Sequence, residues 1–217
     1  MTLLSATQVS RQYRVGERSL VALHPVSIEV DEGEFKVVIG PSGVGKSTLL
    51  QLLSGLDRPT TGTVLLRDKD IYQLGDCKLS ELRNHSFGFV FQTPYMLPHK
   101  TVLQNVLLSS LYASVSGEYV QRARELLAYV GLAALETRSP ATLSGGELQR
   151  AGFARALLMN PAVIFADEPT GSLDRATSKL ILDLLREQTE SGRAVIMATH
   201  DPHAMAYGSE RLVLEKW

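Results

Sequence analysis

The chain has 217 residues, 44% of them hydrophobic, which is enough to bury the core of one large domain. Its formal net charge is −1 without a lysine- or arginine-rich stretch, so we expect no nucleic-acid partner, and its single cysteine, Cys77, allows no internal disulfide. Residues 1–14 lack the apolar core of a signal peptide, and no apolar run approaches the ~20 residues of a transmembrane helix, so we expect a cytosolic protein.

The first third of the chain is predicted to be rich in strands. Val26, Ile28 and Val30 alternate with polar residues, a pattern typical of a half-buried strand. A β-branched run over residues 35–39 predicts a buried strand, and another short strand is predicted over residues 64–66.

A phosphate-binding loop follows the buried strand. Residues 40–48 read Gly-Pro-Ser-Gly-Val-Gly-Lys-Ser-Thr and contain the complete pattern G-x-x-x-x-G-K-[ST], which favours nucleotide binding over an ordinary glycine-rich turn. The glycines let the backbone wrap a phosphate without Cβ clashes, and the following helix start offers free N–H donors. Lys46 is placed to reach the β- and γ-phosphates, and the Ser47 hydroxyl to coordinate Mg²⁺. The predicted nucleotide-binding residues here are Ser42, Gly43, Val44, Gly45, Lys46, Ser47 and Thr48.

Strands and helices alternate in the rest of the chain. A buried strand is predicted over residues 87–91, and from about residue 103 to 135 the apolar period becomes helical. Further strands are predicted over residues 163–166, 194–198 and 212–214, with a helical apolar stripe between the first two. This alternation predicts an α/β fold in which helices flank a parallel sheet.

Two acidic residues directly follow the strand predicted over residues 163–166. Acids at the carboxyl end of a parallel strand lie where such sheets bind ligands. Asp167 is placed to hold Mg²⁺, and Glu168 to polarise the attacking water as a general base. Two acids alone are also typical of a solvated turn, but the phosphate loop in the same chain favours the functional interpretation.

A second glycine-rich helix start lies far downstream of the phosphate loop. Ser144 is predicted to cap this helix, with Glu147 as its capping-box partner. The adjacent Gly145 and Gly146 make the same helix start a candidate anion site. The chain therefore carries two candidate phosphate sites, and one phosphate loop does not explain the second.

Five motifs occur in the order found in ABC-type ATPase domains, and the chain therefore resembles that superfamily. They are residues 40–47, 143–150, 167–168, 172–174 and 198–201. The resemblance covers nearly the whole chain, which we expect to form one ATPase domain over residues 1–217. It implies a P-loop NTPase core of mainly parallel sheet flanked by helices, an N-terminal antiparallel β subdomain, and a helical subdomain over about residues 93–148.

The resemblance also implies that ATP binds between two copies of the chain. In these proteins two domains pack head to tail, so that each phosphate loop faces the partner's signature motif. Ser144, Gly145 and Gly146 would then bind the γ-phosphate held by the other subunit. Asp174 matches the inter-subunit loop that couples the two sites.

Three further residues take their roles from the resemblance. Tyr13 matches the aromatic residue that stacks on adenine, and Gln92 matches the glutamine that senses Mg²⁺ and the attacking water. His200 matches the histidine that contacts the γ-phosphate. His200 and His203 also have the spacing of a metal pair, but the sequence offers no obvious third ligand for zinc. The implied cofactors are ATP and Mg²⁺, the implied catalytic residues are Lys46, Gln92, Glu168 and His200, and the implied metal ligands are Ser47, Gln92 and Asp167.

Within the superfamily, the chain resembles the short ATPase subunits of lipoprotein-release, macrolide-efflux and related type VII systems. The residues that carry this likeness are 92–98, 101–106 and 167–174. Two local departures are the pair Gly152-Phe153, which is expected to loosen its helix, and Lys36, which is unusual inside a strand. Neither is a catalytic position.

This likeness implies the ATP-hydrolysing subunit of a membrane export complex, which dimerises on ATP and drives integral membrane permease subunits from the inner face of the cell membrane. The alternatives are a regulator of cell-envelope enzymes that transports nothing, and a soluble ABC protein of DNA repair or translation. The missing coiled-coil insertion, the missing second domain and the neutral charge argue against the last. Residues 95–97, with Leu107, Leu108 and Leu111, either form a docking groove for a partner helix or fill the core. The transported substrate stays open.

Overall fold

The computed structural model describes residues 1–16, 18–113 and 117–216, which form two β-sheets packed with helices. The strands are β1 (Thr2–Val15), β2 (Arg18–Asp31), β3 (Phe35–Ile39), β4 (Thr61–Leu66), β5 (Lys69–Asp70), β6 (Phe87–Phe91), β7 (Val163–Asp167), β8 (Ala194–Ala198) and β9 (Glu210–Val213). The α-helices are α1 (Lys46–Leu53), α2 (Asp76–Ser86), α3 (Val102–Val106), α4 (Gly117–Tyr129), α5 (Gly145–Leu157), α6 (Arg175–Glu190) and α7 (Pro202–Met205). Within the described ranges, none of the helices has the length and apolar character needed to cross a membrane.

The N-terminal strands form an antiparallel sheet in the order β2-β1-β4-β5. Ile28 and Val30 of β2 are buried whereas Glu29 between them is exposed, so the predicted half-buried alternation is confirmed. The strand is longer than its apolar pattern indicates because it pairs with β1 from Asp31 back to Arg18.

The core sheet is parallel, with the strand order β6-β7-β8-β3-β9, and it confirms the predicted α/β fold. Strand β8 at its centre is wholly buried, as expected for a parallel sheet covered on both faces. The register aligns Phe91 with Asp167, Asp167 with Ala198, and Ala198 with Val38. Four strands therefore end at one edge of the sheet, where the loops that carry most of the predicted site residues begin.

The described residues between β6 and α5 are helical or irregular, in the region that we expect to form a helical subdomain. Ala123 and Leu127 of α4 are fully buried, as their helical spacing predicts, and Val130 joins them. Their hydrophobic cluster continues through α5 and α6 to one face of the core sheet. The helical region is therefore packed onto the sheet that carries the site.

The structure explains the two unusual residues. Lys36 is buried in β3, where its Nζ lies 2.6 Å from Oε1 of Glu34 and 2.6 Å from Oε2 of Glu210 on the edge strand β9. Gly152 lies inside a continuous α5 and does not interrupt it. A Cβ at Gly152 would lie 2.9 Å from the Cβ of Pro94, so the glycine allows α5 to pack closely against the loop that follows β6.

Candidate functional site

The phosphate loop connects β3 to α1 and depends on three glycines with positive φ. Gly40, Gly43 and Gly45 have φ angles of 153°, 77° and 105°, which residues with side chains rarely adopt. A Cβ on Gly40 would lie 2.5 Å from the carbonyl oxygen of Leu214, and one on Gly45 would lie 2.6 Å from that of Ala22. The tight turn before α1 therefore requires glycine at both positions.

Lys46, the first residue of α1, is buried against the loop itself. Its Nζ donates hydrogen bonds to the carbonyl oxygens of Gly40, at 2.9 Å, and Pro41, at 3.1 Å. The ammonium group and the positive end of the α1 dipole therefore lie at the same loop, an arrangement that favours bound phosphate.

Ser47 and Asp167 form the candidate magnesium site. Oγ of Ser47 donates a 3.0 Å hydrogen bond to Oδ1 of Asp167, so the structure brings together two predicted ligands from distant parts of the chain. Burial is the main cause of a raised pKa at Asp167, and the hydrogen bond from Ser47 opposes it. Hydroxyl and carboxylate oxygens are ligands that Mg²⁺ prefers, so the residues present fit this ion.

Glu168 is held firmly in an unusual backbone conformation directly after β7. Its φ of 46° lies in the left-handed region, and its N–H donates to the carbonyl oxygen of Ala198 at the end of β8. Oε2 of Glu168 accepts a 3.2 Å hydrogen bond from Oγ1 of Thr199, and Oε1 lies 2.7 Å from Nδ1 of His200. Both carboxylate oxygens of Glu168, the predicted general base, therefore have a partner among the residues that follow β8.

Thr199 is a site residue that the sequence analysis did not assign. It is fully buried, and its hydroxyl also accepts a 3.1 Å hydrogen bond from the N–H of Asp201. The sequence could have indicated this role, because Thr199 carries a hydroxyl and lies between the end of a buried strand and the predicted site residue His200.

Gln92 leaves the sheet at the end of β6 and is exposed. A Cβ on Gly171 would lie 2.9 Å from Nε2 of Gln92, so the amide lies against the loop that follows Glu168. Because Phe91 pairs with Asp167, the glutamine also emerges beside the strand that ends in the predicted metal ligand.

Tyr13 lies in β1, and two residues that the sequence analysis did not assign hold its ring. Its hydroxyl donates a 2.7 Å hydrogen bond to Oδ2 of Asp57, which follows α1. The guanidinium of Arg11 lies 4.5 Å from the ring centroid and donates a 2.7 Å hydrogen bond to Oδ1 of the same carboxylate. The phosphate-loop helix and the first strand are therefore joined through this ring.

The second glycine-rich helix start lies in a separate pocket. Ser144 caps α5 as predicted, and Oε2 of Glu147 accepts hydrogen bonds from the N–H and the Oγ of Ser144, at 2.8 and 2.9 Å. Asp174 caps α6 by accepting from two backbone N–H groups of its first turn. The starts of α5 and α6 line one pocket of about 280 Å³, and no described residue of the phosphate loop lines it. The structure therefore does not bring Ser144, Gly145, Gly146 or Asp174 to the phosphate loop of the same chain.

Comparison with known proteins identifies the family. The family profile described as ABC transporter matches residues 23–171, and an uncharacterized ABC transporter ATP-binding protein of Thermotoga maritima is 46% identical over 200 residues, 92% of this chain and 86% of the relative. The chain belongs to the ABC transporter ATP-binding family. The lipoprotein-releasing system ATP-binding protein LolD of Geobacter metallireducens is 42% identical to this ABC protein over 208 residues, 95% of this chain and 92% of LolD. The macrolide export ATP-binding/permease protein MacB of Salmonella typhimurium is 41% identical over 212 residues, 97% of this chain but 33% of MacB.

Solved structures confirm the ABC cassette fold. A dimeric bacterial ABC transporter cassette superposes with a TM-score of 0.91 at 37% identity, covering 98% of this chain and 94% of that one. A dimeric post-hydrolysis state of an ATP-binding cassette, bound to ADP and Pi, superposes with a TM-score of 0.90 at the same 37% identity and coverage. This chain is therefore an ABC ATPase that binds ATP, as its motifs predict.

Proposed function

We propose that this ABC ATPase is the ATP-hydrolysing subunit of a membrane export complex and acts as a head-to-tail homodimer. The observation that carries the proposal is the pair of glycine-rich helix starts in separate places, the phosphate loop before α1 and Ser144 before α5. Head-to-tail pairing gives the second helix start a ligand, because the γ-phosphate on one phosphate loop meets the partner's Ser144, Gly145 and Gly146. The dimeric state of one similar cassette, seen in two solved structures, supports this assembly.

The chain's own residues hold the nucleotide at three places in the proposed site. Tyr13 stacks on the adenine, and the phosphate loop with Lys46 binds the phosphates. Ser47, Asp167 and Gln92 would hold Mg²⁺, a role supported by the all-oxygen character of the Ser47–Asp167 pair. The ion would supply positive charge that stabilises the negative charge on the phosphates.

Glu168 acts as the general base in this proposal. Each carboxylate oxygen has a second acceptor site, so Glu168 can take the proton of the attacking water while Thr199 and His200 hold its direction. Nδ1 of His200 is engaged by Glu168, so Nε2 is the ring nitrogen that remains for the γ-phosphate, to which it donates in the imidazolium form. Gln92, beside the same loop, orients the water.

The names of similar proteins favour export over the regulatory alternative. LolD is named as the ATP-binding protein of a lipoprotein-releasing system, and MacB as a macrolide export ATP-binding/permease protein. We infer that permease subunits hold this chain at the inner face of the cell membrane, because the two relatives are named for export systems. The dimer and the hydrolysis themselves do not distinguish the two alternatives, because a regulator that transports nothing would need both.

The surface formed by residues 95–97 with Leu107, Leu108 and Leu111 is the proposed docking place for a cytoplasmic helix of the permease. Arg155 lines a neighbouring cleft of about 290 Å³, whose lining residues do not include these six. Arg155 donates a 3.1 Å hydrogen bond to the carbonyl oxygen of Tyr95, which ties α5 to the loop that follows Gln92. Tyr95 and Leu111 are 70% and 62% exposed. The other residues of the predicted groove are half-buried: Met96, Leu97, Leu107 and Leu108.

Substitution of Glu168 tests the proposed chemistry and assembly together. Removing a general base slows hydrolysis by roughly 10²- to 10⁴-fold but leaves ground-state binding, so Glu168→Gln should accumulate as an ATP-bound dimer in size-exclusion chromatography. Glu190→Gln, at the exposed end of α6, is the matched control and should turn over normally. Near-normal turnover by Glu168→Gln would require a different base, and a variant that stays monomeric with ATP would contradict the dimer.

Capture of the tagged chain from detergent-solubilised membranes tests the export complex. We expect an integral membrane permease to co-purify with the wild-type chain and to be lost with Leu111→Lys. Leu180→Lys, an exposed leucine on α6, is the matched control and should keep the permease. Retention by both variants would contradict the docking place, and no membrane protein with the wild-type chain would contradict the complex.

A further inference from the structure

A buried glutamine outside the assigned site ties together the two chain segments that carry Gln92 and Glu168. Gln149, early in α5, is 1% exposed. Its Nε2 donates a 2.7 Å hydrogen bond to the carbonyl oxygen of Phe91 and a 2.9 Å hydrogen bond to that of Pro169. Both hydrogens of this amide group therefore bind backbone carbonyls.

These two carbonyls belong to the neighbours of the proposed catalytic side chains. Phe91 directly precedes Gln92, and Pro169 directly follows Glu168. Phe91 is also the last residue at which β6 pairs with β7. The buried amide therefore joins the two segments at the point where the hydrogen bonds between the strands stop.

We propose that Gln149 is a positioning residue that fixes Gln92 and Glu168 relative to each other in the site of its own chain. The proposal rests on the roles proposed above for those two side chains. Without the amide donor, the buried carbonyl oxygen of Pro169 and the partly buried one of Phe91 lose their partner, and the segments shift apart or admit water. A misplacement of about 1 Å suffices to slow a reaction roughly 100-fold.

The position of Gln149 separates this role from a merely structural one. Helix α5 begins at Ser144, which the proposed head-to-tail dimer assigns to the nucleotide of the partner subunit. Gln149 instead contacts the segments that carry Gln92 and Glu168 of its own chain. Loss of positioning therefore slows hydrolysis on the chain's own phosphate loop, whereas distortion of α5 damages the partner's site.

Gln149→Met is the first variant to measure, because it keeps the side chain's approximate volume and removes both donors. We expect the homodimer's kcat to fall about tenfold or more while the KM for ATP stays within about twofold, since no bond of Gln149 reaches the phosphate loop. Gln188→Met is the matched control. Gln188 is also buried, and its Nε2 donates to the carbonyl oxygen of Leu184 and the hydroxyl of Tyr129, both at 3.2 Å, on a part of α6 remote from these contacts.

Heterodimers with one silenced site decide between positioning and distortion. One subunit carries Glu168→Gln, so single-turnover hydrolysis reports only the phosphate loop of the other subunit. Gln149→Met is placed either in the active subunit or in the silenced one, and two affinity tags isolate each pair. The reference pair carries Glu168→Gln alone.

The proposal predicts that Gln149→Met slows the reaction about tenfold or more only in the active subunit. A slower reaction only when Gln149→Met lies in the silenced subunit would mean that α5 is distorted, and this would overturn the proposal. An equally slowed reaction in both arrangements, or an unchanged rate in both, would also overturn it. Ser144→Arg, placed either in the active or in the silenced subunit, tests the head-to-tail dimer separately. If Ser144→Arg acted only within the active subunit, the head-to-tail assembly would fail, whereas the result for Gln149 would stand.

Discussion

Nδ1 of His200 lies 2.7 Å from Oε1 of Glu168, so the residues that follow two adjacent strands of the core sheet meet at the proposed base. Thr199 holds the other carboxylate oxygen at 3.2 Å. The direction of the Glu168 carboxylate is therefore set by residues after β8, although the side chain itself follows β7.

Removal of the Thr199 hydroxyl should weaken catalysis without weakening nucleotide binding. Thr199→Val keeps the shape but leaves Oε2 of Glu168 and the N–H of Asp201 without this partner. A buried hydrogen bond to a charged group is worth about 1.5 kcal/mol or more, so kcat should fall roughly tenfold at an unchanged KM for ATP. Thr199→Ser should retain most of the rate, and equal damage by both variants would contradict the role of the hydroxyl.

Tyr13 should contribute to ATP affinity mainly through its ring. Base–aromatic stacking is worth roughly 1–3 kcal/mol, so Tyr13→Ala should raise the KM for ATP about 5- to 150-fold with little change in kcat. Tyr13→Phe keeps the ring but loses the hydrogen bond to Asp57, so a smaller rise is expected. If phenylalanine were as damaging as alanine in steady-state assays, the hydroxyl rather than the ring would be the binding element.

The capping box at the start of α5 should give a stability difference that depends on pH. Hydrogen bonds from the N–H and hydroxyl of Ser144 lower the pKa of Glu147. Ionised Glu147 therefore stabilises the fold above the ordinary glutamate pKa of about 4.3, and this stabilisation is lost as the pH falls through the lowered folded-state value. Glu147→Gln should melt below the wild type at neutral pH, with the gap closing in acid. A gap in melting temperature that widened in acid would contradict this assignment.

Lys36 should matter for stability and not for hydrolysis. Burial opposes its charge, but the hydrogen bonds and charges of Glu210 and Glu34 outweigh this and raise its pKa. Lys36→Ala leaves two carboxylates without their cation, so urea unfolding should show a loss of roughly 1–3 kcal/mol. Lys179→Ala, which removes an exposed pair with Asp183, should cost much less stability than Lys36→Ala. Equal losses of unfolding free energy in Lys36→Ala and Lys179→Ala would mean that burial of the Lys36 ion pairs does not add to stability.

The features that depend on sequence neighbours were predicted from the sequence. The phosphate loop, the alternation in β2 and the Ser144–Glu147 cap arise from local backbone geometry. Five short apolar runs are found as strands of the core sheet, and the run over residues 64–66 is part of β4 in the antiparallel sheet. Several boundaries differ, because strand pairing continues beyond the apolar residues: β2 extends back to Arg18, β4 begins at Thr61, and the last strand runs from Glu210 to Val213 beside β3.

The features that depend on register or tertiary contact were not predicted. Lys36 meets Glu210 only because β3 and β9 align those two positions. Asp57, which follows α1, contacts Tyr13 in the antiparallel sheet. Gln149 in α5 contacts the two segments that carry Gln92 and Glu168. No periodicity within one element encodes such contacts, because each partner has an ordinary local pattern of its own.

The shared active site is tested most directly by two mixed dimers, separated by two affinity tags and assayed for phosphate release. In the first, one subunit carries Lys46→Ala and the other Ser144→Arg, each expected to be inactive as a homodimer. In the second, a wild-type subunit is joined to one that carries both changes.

Head-to-tail pairing leaves one intact site in the first dimer and one defect in each site of the second. We therefore predict phosphate release only by the first dimer. A site built within a single chain gives the reverse, no activity in the first dimer and half the wild-type activity in the second. Activity found only in the second dimer would contradict the shared site and the assignment of Ser144, Gly145 and Gly146 to the partner's nucleotide.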